Sequence, residues 1–220
     1  MRTVKSAPGS LRATRATETR HRIEEAARHS FVQRGYAATT LREVAAGAGV
    51  AIQTVYATYG SKAEILRSLR RRVIDDAEAD ASWAAALGAP TVSLAVTAFA
   101  RSIRLRWEHG ADIVAANADA ARSDPAIRAE VDAAVQVRRT GIRQLAAALA
   151  RLDARLGPVD RVAAVLDALT VTDAYVTLTI GHGWSPDDYE AWLARAMRDA
   201  LRGAPRIRRS SRVETRQRSG

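Results

Sequence analysis

The chain has 220 residues, 47% of them hydrophobic and 26% charged, with a net charge of +10 and no cysteine. That length fits one or two domains with material for a core, and the missing thiols exclude disulfide scaffolds, cysteine nucleophiles and cysteine-ligated metals. No run approaches the roughly 18 uninterrupted apolar residues of a membrane span, and the N-terminus lacks the apolar stretch of a signal peptide, so the sequence reads as a cytoplasmic protein with no membrane contact.

The charge is concentrated at the ends. Residues 1–16 carry Arg2, Lys5, Arg12 and Arg15 with no acid, and residues 204–220 carry six arginines against Glu214, whereas the stretch between is nearly neutral. Both ends are rich in Ser, Thr, Gly and Pro and are predicted to be disordered basic arms, able to attract phosphate without reading sequence. Helical periodicity fills the rest. Ile23, Ala27 and Phe31 mark a first helix closed by Gly35. Thr40 and Glu43 have the spacing of a capping box, opening a helix with Leu41, Val44, Ala45 and Ala48 on one face. A short segment holding Val55 and Tyr59 follows Gly49-Val50. Ser61 then caps a longer helix with Ile65, Leu69, Val73 and Ala77 on its face. Gly88-Ala89-Pro90 breaks the pattern and Thr91 restarts it, with a stop expected near His109-Gly110 and a short helix over 111–122. Pro125 opens a long stretch to Leu156, and two last helices are predicted over 159–180 and 186–201. No strand-like alternation occurs. The fold class is all-α, about nine helices, with a three-helix head and a larger bundle behind it.

The stretch from Thr39 to Leu66 places two short helices around a glycine-containing turn, the layout of a helix-turn-helix. Ala45, Ala48 and Gly49 are small where the two helices must cross. Val50 and Val55 face inward, and Ile52, Gln53, Thr54 and Tyr56 face out. The positions Val44, Ala45, Ala48, Gly49, Val50, Thr54, Val55, Tyr56, Tyr59, Lys62, Ile65 and Leu66 resemble the DNA-binding head of the TetR (tetracycline-repressor-like) family of transcriptional regulators. Phe31, Gly35, Tyr36 and Thr40 fit the preceding helix and turn. The chain departs from that pattern at Ala51, where relatives often carry a capping side chain, and at Thr58, where they often carry His or Tyr.

The resemblance implies a division into a head over 17–62 and a ligand-binding and dimerisation body over 63–203. It places helix 51–57 in the major groove of an operator. There Arg42, Ile52, Gln53 and Tyr56 are the expected base contacts: Arg42 on guanine, Gln53 bidentate on adenine, Ile52 on a thymine methyl. Thr40, Thr54, Tyr56 and Lys62 are expected to hold phosphates, with Thr40 and Lys62 at helix N-termini. Tyr59 is expected in the core.

One recognition helix reads few base pairs, so two heads on a two-fold axis and a palindromic or near-palindromic duplex are expected. The last two helices offer a broad apolar stripe for a homodimer, with Val165, Leu169, Val176, Ile180, Tyr189, Trp192, Leu193 and Met197 as its interface. The resemblance further implies a small-molecule effector in the body and a repressor as the usual mode. Residues combining apolar walls with polar handles there are Trp83, Phe99, Arg104, Trp107, His109, Asp112, Asn117, Thr172, Tyr175 and Thr179. No cofactor or metal is expected. The four histidines His21, His29, His109 and His182 are scattered without ligand or nucleophile spacing, which argues against an all-helical enzyme. A non-specific architectural DNA-binding protein acting through its basic ends is the other alternative.

Overall fold

The computed structural model describes residues 8–203, with side-chain detail from residue 13. The described residues fold into helices α1 (Pro8–Arg34), α2 (Leu41–Ala48), α3 (Ile52–Tyr59), α4 (Lys62–Ile74), α5 (Ala77–Gly88), α6 (Val92–Ala120), α7 (Pro125–Leu152), α8 (Val159–Leu169), α9 (Thr172–Val176) and α10 (Pro186–Gly203). A 3-10 turn at Ala154–Leu156 follows α7, and a π-helical turn at Thr177–Gly181 follows α9. The expected disordered arm over 1–16 is corrected in part, because α1 already begins at Pro8. A helix anchored by the packed residues Ile23, Ala27 and Phe31 extends backward cheaply through Ala, Arg, Thr and Glu, since each added residue brings its own hydrogen bond. The basic stretch 204–220 lies outside the described residues.

Three element boundaries differ from the expectation, each for a local reason. The helix opened by Ser61 ends at Ile74, and Asp76 starts α5 by accepting a hydrogen bond from the Ala79 N–H at 2.9 Å. The apolar stripe runs past this break, but a short acidic side chain competes for the backbone. Gly110 does not stop a helix. α6 runs through it unbroken, and a Cβ there would overlap Val73 of α4, with Val73 Cγ2 only 2.7 Å away. The predicted 159–180 helix breaks at Thr170-Val171, where the fully buried Thr170 donates its hydroxyl to the Leu166 carbonyl at 2.7 Å.

Two cores form. The body core gathers Phe99, Ile103, Leu145, Leu149, Leu166, Tyr189, Leu193 and Met197 from α6, α7, α8 and α10. The head core gathers Ile23, Ala27, Phe31, Val44, Ala45 and Val55, but it also takes Ile65, Leu66 and Leu69 from α4, Ile113, Ala116 and Ala120 from α6, and Ile127 from α7. The head therefore has no closed core of its own within 17–62. It is completed by α4 and by the far end of a 29-residue helix whose other end lies in the body.

Candidate nucleic-acid interface and its link to the body

α2 starts with the capping box that the sequence announces. Thr40 Oγ1 accepts from the Glu43 N–H, and Glu43 Oε2 accepts from the Thr40 N–H at 2.9 Å. α2 ends at Gly49 in the left-handed region (φ 63), where the Val50 N–H reaches back to the Ala45 carbonyl at 3.0 Å. Val44, Ala45 and Ala48 face inward, and Gly47 brings α2 so near α1 that an added Cβ would lie 3.3 Å from Ala26 Cβ. Val55, fully buried, locks α3 from beneath. Ala51 supplies no side-chain cap to α3, as its residue type dictates.

The outer side of α3 is a polar ridge. Gln53 is exposed, Tyr56 is 53% exposed, and Arg42 of α2 is also exposed. Thr54 is half-buried. Ile52 is also half-buried and packs against the head core, so only part of it is open to a ligand. Thr58 turns its hydroxyl back to the Thr54 carbonyl at 2.6 Å. Tyr59 packs against the core and donates to Glu24 at 2.8 Å; burial, and then the Glu24 hydrogen bond, push its phenol up to about 12.

Two expected phosphate anchors have other partners. Lys62 directs its ammonium at the carbonyls of Tyr36, Ala37 and Thr39, the last at 2.8 Å, and stands 4.3 Å from the centroid of the Tyr36 ring. An ammonium has three hydrogens, so this side chain staples the α1–α2 loop and has no donor left for a phosphate. Burial lowers its pKa, which fits a cation held among carbonyls rather than in solvent. Thr40 is likewise engaged, its hydroxyl and N–H both on Glu43.

The head meets the body at a joint that sequence reading did not isolate. Arg28 of α1 grips Asp112 of α6 and also donates to the His109 carbonyl at 3.1 Å. The Tyr36 N–H donates to Asp119 at 2.6 Å, and Gly35 (φ 82) lets the loop come that close. Glu24, 7% exposed, accepts from Tyr59, Ser68 and Arg72, binding α1 to α3 and α4. Arg67 and Arg70 of α4 hold Glu130 of α7 at 2.8 and 2.6 Å. The one signal in the sequence for Glu24 and Arg28 is their place one step beside the Ile23–Ala27–Phe31 stripe, where charged side chains border a buried face.

The ten residues expected around an effector fall into two groups. His109, Asp112 and Asn117 belong to the joint. The His109 ring meets Asp76 at 2.7 Å and lines a cleft with Arg28 and Arg72; Asp112 is taken by Arg28; Asn117 donates to the Ile113 carbonyl beside the head core. The rest lie in the body: Trp83 edge-on to Phe99 at 5.7 Å, Trp107 against the body core, Tyr175 edge-on to Tyr189 at 5.0 Å, and Thr172 and Thr179 half-buried on the α9 segment. Arg104 is ion-paired with Glu108 and Glu190. Of the expected interface residues, Tyr189, Leu193 and Met197 are fully buried inside the protomer and have no surface to offer a partner. The last helix turns that face inward because its other face is charged. Val165, Leu169 and Trp192 are half-buried, Val176 is 36% exposed and Ile180 76%.

Comparison with known proteins gives a consistent result. Residues 23–69 match the family model described as bacterial regulatory proteins, tetR family. No curated protein sequence matches the chain. Among solved structures, a TetR-like transcriptional regulator from Rhodococcus sp. RHA1 superposes with a TM-score of 0.61 at 18% identity, covering 84% of this chain and 97% of that one. The TetR family transcriptional regulator PfmR from Thermus thermophilus gives 0.60 at 22% identity, covering 86% and 98%. A TetR-family regulator from Mesorhizobium loti MAFF303099 gives 0.53 at 20% identity, covering 85% and 96%. These likenesses extend over head and body alike, and at such identities they establish the fold.

Proposed function

We propose that this chain is a DNA-binding transcriptional regulator of the tetR family and acts as a homodimeric repressor, released from a palindromic or near-palindromic operator by a small-molecule effector. The observation that carries this reading is the placement of α4. Its first half, Ile65, Leu66 and Leu69, is built into the head core under α3, and one turn later Val73 presses on Gly110 of α6. Close-packed cores do not deform smoothly. A ligand that favours a different packing of α6 in the body therefore shifts α4 and, with it, the angle at which α3 is presented.

In this reading Gln53, Arg42 and Tyr56 contact base edges, Thr54 and Tyr56 touch the backbone, and Ile52 offers its exposed part to a thymine methyl. The dimer forms on α8 and α9. Only 17% of the most apolar window within Val159–Gly181 is buried by the chain itself, and Val171, Val176 and Ile180 stand exposed together with the half-buried Val165, Leu169 and Trp192. Exposed apolar side chains in this number call for a cover, and a second copy supplies one while setting two heads side by side.

The test is selection of bound duplexes from a random pool, followed by the mass of the complex in solution. Enrichment of a two-fold-symmetric sequence held by one dimer supports the proposal. A pool that shows no enriched sequence, with all duplexes bound within a few-fold of one another, supports an architectural protein instead and refutes it.

A further inference from the structure

Many arginines of the body are taken up by carboxylates, among them Arg106 by Asp80, Arg138 by Asp167 and Arg143 by Asp160. At one place arginines converge with too little acid to take them. A cleft of about 350 Å³ opens between the first residues of α6, the turn after α7 and the last residues of α10. Arg155, Arg198 and Arg202 line it against a single carboxylate, Asp153. Arg155 occupies that carboxylate through two nitrogens, at 2.9 and 3.0 Å. Arg198 has a long contact with the Thr97 hydroxyl, 3.3 Å, and the exposed Arg202 has no ion pair among the described residues.

The cleft lies far from the head. α6 gives Val92 and Ser93 to it and Ala116 to the head core, and at 1.5 Å per residue the helix between them spans about 36 Å. Duplex DNA is stiff over about 150 base pairs, so a segment seated on α3 would have to bend sharply to reach the other end of the body. The described chain also ends here. Leu201 and Arg202 line the cleft, Gly203 follows, and residues 204–220 carry six arginines against Glu214. An anion in the cleft therefore stands at the root of a further run of positive charge.

We propose that this cleft is a second, sequence-independent DNA-binding surface, which takes backbone phosphates of a duplex segment other than the one on α3, so that one assembly holds two segments together. The two-segment part rests on the reading of the head above; the phosphate site does not. The planar fork of arginine donates two parallel hydrogen bonds to phosphate oxygens. A small anion would meet Arg198 and Arg202 and gain nothing from the arginines that follow. A polyanion engages both, and each phosphate neutralised releases counterions. A lipid surface offers the same charges but also takes up apolar side chains, and the leucines of the cleft, Leu156 and Leu201, are buried.

Ser93 is exposed at the cleft and the chain has no cysteine, so Ser93→Cys carries a benzophenone photo-crosslinker at one place; Ala133→Cys, on an exposed stretch of α7, is the control. The full-length protein is irradiated with a fluorescent duplex of arbitrary sequence over a range of salt. The Ser93 label should capture the duplex and the Ala133 label should not. Arg202→Gln should lower the slope of log capture against log salt by about one unit, and Arg198→Gln with Arg202→Gln by about two. Tm and affinity for the selected duplex should stay unchanged in both. Ending the chain at Gly203 should weaken capture. Protein held on one equivalent of immobilised selected duplex should still capture the fluorescent one. Equal capture by the two labels, an unchanged slope in the double variant, or labelling of phosphatidylglycerol vesicles in preference to duplex would overturn the inference. So would a Ser93 label that reaches the immobilised duplex alone. A selection that enriches no sequence while Ser93 still captures DNA would instead sink the reading of the head and leave the phosphate site standing.

Discussion

Arg28 and Asp112 join the head to the body through a two-pronged ion pair, Nε to Oδ2 at 2.7 Å and Nη2 to Oδ1 at 2.8 Å. Each side chain is about a third exposed, 31% and 33%. Water therefore screens much of the attraction, and the pair contributes more to geometry than to stability. Asp112→Asn is expected to lower the unfolding free energy by only about 1 kcal/mol while weakening operator binding several-fold, because the head loses its fixed tilt. Urea unfolding set beside fluorescence anisotropy on a selected duplex checks this. An unchanged operator affinity would mean that the pair is ornamental to recognition.

The contact of Val73 with Gly110 gives a second prediction. Any side chain at 110 overlaps both Val73 methyls, so Gly110→Ala must push α4 away from α6, at a cost of about 1–3 kcal/mol. Removing the obstruction should restore the packing. Gly110→Ala with Val73→Ala is expected to recover both stability and operator binding relative to Gly110→Ala alone. Additive losses in a double-mutant cycle would show that the two helices do not bear on each other there.

Lys62 is expected to behave as a staple. Lys62→Met removes the donors to the Tyr36, Ala37 and Thr39 carbonyls and should cost about 1–3 kcal/mol of stability. The slope of log affinity against log salt should stay that of the unsubstituted protein, because no phosphate contact is lost. A slope reduced by about one unit would restore Lys62 to the DNA interface.

Acid should loosen the α4–α5 turn. The hydrogen bond from the Ala79 N–H, and then His109, hold the Asp76 carboxyl below its ordinary range. The unfolded chain takes up this proton first as pH falls, so the stabilisation is complete above about pH 4. It is lost as pH falls through the folded value. Asp76→Asn keeps a capping side chain but does not titrate. The stability gap between the two proteins should be constant above about pH 4 and close below it. A gap that widens on acidification would contradict this assignment.

How far the sequence could be read depended on whether a residue's effect is local. The Thr40–Glu43 box, the Gly49 turn, the uncapped Ala51 and the buried Val55 all follow from neighbours a few positions away, and the structure has each of them. Gly110 looked like a helix stop because the reason for a glycine there lies in another helix, 37 positions back at Val73. Lys62 carried the right residue type for a phosphate, and only the folded loop shows three carbonyls in its reach. α10 has one apolar stripe and two places to bury it, inside the protomer or against a partner. Periodicity cannot choose between them, and Tyr189, Leu193 and Met197 went inside.

Sequence reading by α3 rests most on Gln53, exposed on that helix above the buried Val55. Anisotropy titrations of the unsubstituted protein and of Gln53→Ala, on the selected duplex and on a random duplex at one salt concentration, address it directly. The expected result is a loss of about 1–3 kcal/mol on the selected duplex and almost none on the random one. Equal losses on both, or none on either, would mean that this helix does not read sequence.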